Sequence, residues 1–149
     1  MHMMNVIRRG ATTATDDVDK PSRDAILVLM PTDVLSPPFA WREQGDGTVV
    51  VLLHGLGGSR ISWEPQMGAL GPRRTVAWDM PGQGDSDNPP RFYSAHDYAD
   101  SVVALMDALG IEKASMAGSS VGGSIAVAMG ARHAARMERV FIVEYPIRT

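Results

Sequence analysis

The sequence predicts an α/β fold in which a mostly parallel sheet carries helices on both faces. Three observations lead there. Residues 48–53 (Thr-Val-Val-Val-Leu-Leu) are apolar almost throughout, the pattern of a strand buried on both faces at the centre of a parallel sheet. From Thr48 to Glu144, strand-like and helix-like stretches alternate, which calls for right-handed crossovers and a parallel sheet. Glycine-rich turns follow two of the buried strands, at residues 55–59 and 118–122, and ligands on such sheets bind at the carboxyl ends of the strands.

The elements follow in chain order. Residues 1–22 are polar, rich in Thr and Asp, and read as a disordered arm. Residues 25–30 and 39–44 are strand-like, separated by turn material between Pro31 and Pro38. Gly45-Asp46-Gly47 reads as a hairpin-type turn into the 48–53 strand. After the glycine-rich loop, residues 61–70 form a helix, residues 74–78 return as a second buried strand, and residues 79–86 (Asp-Met-Pro-Gly-Gln-Gly-Asp-Ser) are a loop. The next helix has the clearest signals. Ser94 caps it with Asp97 three residues on, Tyr98, Val102, Leu105 and Leu109 share one face, and Gly110 stops it. Residues 113–117 are a third central strand, 121–135 a helix and 139–144 a fourth strand. Counting the two early strands makes six, after which the fold reads as truncated, with residues 23–149 the N-terminal part of one domain.

Composition narrows the function. At 149 residues the chain suits one domain, and 44% hydrophobic with 21% charged residues is globular. A net charge of −3 offers no basic footprint for nucleic acid or an anionic membrane. No cysteine means no disulfide framework, thiolate nucleophile or cysteine-ligated zinc. The start has neither a signal-peptide pattern nor an apolar run of about 20 residues, so a cytoplasmic protein is expected, and no metal or organic cofactor is implied.

Gly118-Ser119-Ser120-Val121-Gly122, between a predicted strand and a small-residue helix, is written as a nucleophile elbow. The serine sits at the tip of a sharp turn that strains its backbone, and Gly118 and Gly122 leave room where a β-carbon would clash. The corner aims the helix N-terminus and the Val121 amide at anything bonded to Ser120. A tight turn that merely contains a serine would read the same way.

The order of strand, His54-Gly55-Leu56-Gly57-Gly58-Ser59, strand, residues 79–86, then the Ser120 elbow closely resembles the α/β-hydrolase fold family, and within it the esterases, enol-lactone hydrolases and carbon–carbon bond hydrolases. The resemblance covers about residues 38–144. It implies Ser120 as nucleophile and the backbone amides of Val121 and Leu56 as oxyanion donors. Two aimed N–H groups hold the charge that develops on an attacked carbonyl. Gly57 lets the loop backbone approach a substrate, and Trp63 and Met67 read as helix packing. His54 is not taken as the base, since in the matching families this histidine shapes the oxyanion loop. His96 and His133 read as solvated or helix-terminal. Asp79 and Asp85 read as fixing the turn around Pro81-Gly82 through side-chain-to-backbone bonds. Glu144, at a strand end, reads as structural, with the family's rarer acid placement after that strand as the other reading.

The resemblance also implies an acid and a histidine base beyond the fourth alternating strand, and no histidine follows His133. The chain is therefore expected to be an impaired serine esterase or lactonase acting on a small-molecule carbonyl substrate. Its open sheet edge is expected to promote self-association or to receive a complementing C-terminal half. Two other readings stand beside this one. A non-catalytic binding or regulatory protein could use the same scaffold. A dinucleotide-binding domain would use Gly55-x-Gly57 and Asp79, although Arg60 stands where its third glycine belongs.

Overall fold

A computed structural model describes Val6–Ile7, Leu27–Val28 and residues 39–144. Strands β1 (Val6–Ile7) and β2 (Leu27–Val28) pair antiparallel as a separate ribbon. Apart from Val6–Ile7, the stretch read as an arm lies outside the described residues.

Five strands form the main sheet: β3 (Trp41–Gln44), β4 (Val49–Leu53), β5 (Arg74–Trp78), β6 (Ala114–Ser119) and β7 (Met137–Glu144). Their order is β3-β5-β4-β6-β7, with β3 antiparallel to β5 and all other pairs parallel. Of the earliest predicted strand, residues 25–30, the described part, Leu27–Val28, pairs with β1 rather than joining this sheet. A second correction concerns Gly45-Asp46-Gly47, which does not close a hairpin between neighbours. β5 lies between β3 and β4, and the turn is tied instead to the end of the next crossover, with the Gly47 amide donating to the Pro72 carbonyl at 2.9 Å.

Alternation along β4 distributes its side chains to two cores, as expected of a strand covered on both faces. Val51 and Leu53 join Val76, Trp78 and Met116 beneath α2 (Ala95–Ala108) and α3 (Val121–His133). Val50 and Leu52 join Ala77, Trp63 and Met67 on the other face, beneath α1 (Glu64–Ala69). The predicted 61–70 helix is thus two pieces, a 3-10 turn over Arg60–Trp63 followed by α1, whose first turn holds Pro65, the proline-tolerant position. Trp63 and Met67 pack in the core as expected.

The second long helix begins where the sequence places it. The Ser94 side chain accepts from the Asp97 amide at 3.3 Å, and the Asp97 carboxylate accepts from the Ser94 amide at 2.8 Å. Val102 and Leu105 are buried, and Gly110 adopts φ +65° just past the end. At the far edge, β7 leaves Val140, Phe141, Ile142 and Val143 between 42% and 69% exposed. No helix among the described residues is long and apolar enough to cross a membrane.

Candidate active site

Two loops meet at the carboxyl edge of neighbouring strands β4 and β6, where Leu53 pairs in register with Gly118. Ser120 joins β6 to α3 with φ 53° and ψ −116°, the one positive-φ non-glycine position among the described residues. For a residue with a β-carbon this is a strained backbone, and such strain gathers at functional sites. The corner is held by the Ser120 amide donating to the Glu144 carbonyl at 2.7 Å, and by Gly123 and Ser124 amides donating back to the Ser120 carbonyl. Its flanking glycines are sterically obligatory. A β-carbon on Gly118 would run into the Gly122 carbonyl, and one on Gly122 would run into the Leu53 carbonyl and lie 2.8 Å from that of His54.

A serine at a helix N-cap ordinarily spends its hydroxyl on the helix's own amides. Ser120 does not: its side chain makes no capping bond and has no hydrogen-bond partner among the described residues. Its hydroxyl is left for something else. The Val121 amide opens α3 and so has no intrahelical acceptor.

The facing loop runs from His54 to Ser59. A β-carbon on Gly55 would sit 3.4 Å from that of Ser120, which shows how closely the loop crosses the elbow. His54 is buried and both ring nitrogens are engaged: Nε2 accepts from the Met80 amide at 3.0 Å, and Nδ1 lies 2.7 Å from the Gly55 carbonyl. An accepting Nε2 fixes the proton on Nδ1, so the ring is neutral. Burial pushes its pKa below the ordinary histidine value, opposed by the Gly55 bond and the charge of Asp79. Further along the loop, the amides of Gly57, Gly58, Ser59 and Arg60 all have acceptors. That of Leu56 has none among the described residues, and the Leu56 side chain is 77% exposed.

Beneath the loop lies a buried charge pair. Asp79, fully buried, accepts from the Arg60 amide (2.5 Å), the Asp85 amide (2.9 Å) and the Arg60 guanidinium, which also reaches Asp85 at 2.6 Å. Burial alone would lower the Arg60 pKa; hydrogen bonds and charge from Asp85 and Asp79 outweigh it and raise it. Asp79 thus fixes the 79–86 turn as the sequence suggests, and joins it to the neighbouring loop as well. Its carboxylate is fully buried and already takes three hydrogen bonds, which does not fit a ribose-binding acid and counts against the dinucleotide reading. Arg60 was legible only as a break in that fingerprint. Gln83, whose side-chain carbonyl accepts from the Gly57 amide at 2.5 Å, carried no signal in the sequence.

The remaining histidines lie apart from this arrangement. His133 ends α3 with Nε2 2.6 Å from Asp100, and His96 is exposed in the first turn of α2. A cavity of about 520 Å³ sits on the α1 side of the sheet, lined by Val50, Leu52, Trp63, Leu70, Ala117 and Phe141, and includes neither Ser120 nor Leu56. No group of His, Asp and Glu suited to a metal ion occurs among the described residues.

The sequence pattern of the alpha/beta hydrolase fold matches residues 48–146. The chain belongs to that family. Among alpha/beta hydrolase relatives, RutD of Caulobacter segnis, a protein named for carbamate hydrolysis as its assigned reaction, is 41% identical over 109 residues, which are 71% of this chain and 39% of RutD. The N-acyl homoserine lactonase AidH is 34% identical with TM-score 0.70, over 75% of this chain and 43% of AidH. The epoxide hydrolase CorEH is 30% identical with TM-score 0.71, over 73% of this chain and 39% of CorEH. The chain therefore spans about two-fifths of the length of the relatives it matches.

Proposed function

We propose that this alpha/beta hydrolase is a serine hydrolase acting on an ester, lactone or related carbonyl compound through an acyl-Ser120 intermediate. One observation carries the reading: Ser120 holds a strained φ between two obligatory glycines, with a hydroxyl that caps nothing, beside a loop whose Leu56 amide has no acceptor among the described residues. In this mechanism the Ser120 oxygen attacks the carbonyl carbon, and the Leu56 and Val121 amides receive the resulting negative charge. Collapse breaks the bond to the alcohol or lactone oxygen, which takes up the proton the hydroxyl gives up. Water then cleaves the acyl-serine ester to release the acid and restore Ser120. Losing one such donor costs about 3–4 kcal/mol of barrier. His54 acts by shaping the loop, because both its nitrogens are occupied.

The proposal includes low activity. The hydroxyl needs a base to become a strong nucleophile, and none of the described histidines bonds to it. The same lack favours a second reading, a binding or regulatory protein on the hydrolase scaffold. Turnover of p-nitrophenyl acetate and of an N-acyl homoserine lactone separates the two. Slow hydrolysis, faster with added imidazole and lost in Ser120→Ala, supports the hydrolase; a rate equal to that of Ser120→Ala supports the binding protein.

A further inference from the structure

We propose that Gln83 is a positioning residue that holds the Leu56 amide in its aimed orientation, an inference that rests on the serine-hydrolase reading. The Leu56 N–H belongs to the Gly55–Leu56 peptide plane, where it points opposite to the Gly55 carbonyl because the bond is trans. That carbonyl is pinned from two sides, by His54 Nδ1 at 2.7 Å and the Gly58 amide at 3.0 Å. The next plane, Leu56–Gly57, is pinned by the Gly57 amide donating to the Gln83 side-chain carbonyl at 2.5 Å. With both planes fixed, the φ and ψ of Leu56 are fixed, and so is the direction of its amide.

Among the described residues, nothing else on the open side of the loop does this. A β-carbon on Gly57 would meet nothing within 4 Å, Gly57 is exposed at φ +75°, and the Leu56 side chain is in solvent. Packing does not hold the tip; the Gln83 latch does. The latch is itself anchored. The Gln83 amide donates to the Met80 carbonyl at 2.9 Å, the Ser86 amide donates to the Gln83 carbonyl at 3.1 Å, and Asp79 fixes the whole turn to Arg60. The loop after β5 therefore sets the geometry of a donor carried by the loop after β4.

The test uses the 149-residue chain and two variants. Gln83→Met keeps length and removes the acceptor, while Gln83→Glu keeps an acceptor oxygen. Two quantities are followed: the second-order rate of Ser120 phosphonylation by ethyl p-nitrophenyl methylphosphonate, with imidazole present and p-nitrophenolate released, and hydrogen exchange of the Gly57 amide. The expected result is at least a tenfold slower phosphonylation and faster Gly57 exchange in Gln83→Met with its urea midpoint unchanged, and recovery in Gln83→Glu to within about fivefold, the remainder reflecting the added charge. A latch that merely stitches two surface loops would change exchange and leave phosphonylation untouched, and that result overturns the proposal. So does a Gln83→Glu rate as low as that of Gln83→Met. If Ser120 in the unaltered chain does not react at all while Gly57 exchange still responds to Gln83→Met, the latch exists but the nucleophile reading has failed and the positioning role falls with it.

Discussion

Gly122→Ala probes the elbow with the smallest possible change, one methyl group. The added carbon would fall inside the 3.0 Å that real β-carbons essentially never breach, against the backbone carbonyl of Leu53, and 2.8 Å from that of His54. Backbone atoms at the end of a central strand cannot rotate away as a side chain could, so α3 and the elbow must shift by on the order of 1 Å; a misplacement of that size costs about 100-fold in rate. Overpacking of this kind also destabilises by about 1–3 kcal/mol. The assay is the rate of Ser120 phosphonylation beside a urea unfolding curve. The structure predicts a folded variant, destabilised within that range, reacting about 100-fold more slowly. A variant with unaltered stability and an unaltered rate would refute the argument that Gly122 is there to let the elbow approach β4.

Three other outcomes follow from the same geometry. Asp79→Asn leaves the buried Arg60 guanidinium short of its partner and is expected to cost about 3–5 kcal/mol in urea unfolding; adding Arg60→Met should restore about 1 kcal/mol or more by removing the uncompensated charge. His54 is neutral when folded, with its pKa held below the ordinary 6.5 by burial, whereas the unfolded chain takes up the proton near that value. Stability is therefore complete above about pH 6.5 and falls as the pH drops below it, by up to about 1.4 kcal/mol per pH unit. Urea midpoints at pH 7.5 and 5.5 should differ, and His54→Asn should reduce the difference. At the open edge, Phe141 and Ile142 are 56% and 42% exposed, so light scattering should show concentration-dependent association that Phe141→Lys with Ile142→Lys suppresses; a monomer at all concentrations counts against it.

What the sequence made legible was local. The apolar run of β4, the Ser94–Asp97 box and the Gly110 stop each depend on a few adjacent residues, and each lies where it was read. The Gly118 and Gly122 spacing likewise marks a corner the backbone makes within five residues. What escaped depends on order in space. Turn chemistry at Gly45-Asp46-Gly47 signals that the chain reverses, not which strand lies alongside, and β5, which begins only at Arg74, separates β3 from β4. The strand at Leu27–Val28 was readable, but its partner at Val6–Ile7 was not. Arg60 and Asp79 are nineteen residues apart and Gly57 and Gln83 twenty-six. Nothing in either residue type announces such pairings, and the features that tie the two loops together had to come from the structure.

The central claim is that the Ser120 hydroxyl is the reacting group. Treating the chain with a fluorophosphonate in the presence of imidazole, then locating the adduct by peptide mass spectrometry, tests it most directly. The account predicts a single adduct on Ser120, absent from Ser120→Ala. An adduct on Ser119 or Ser124, or labelling that survives in Ser120→Ala, would contradict it.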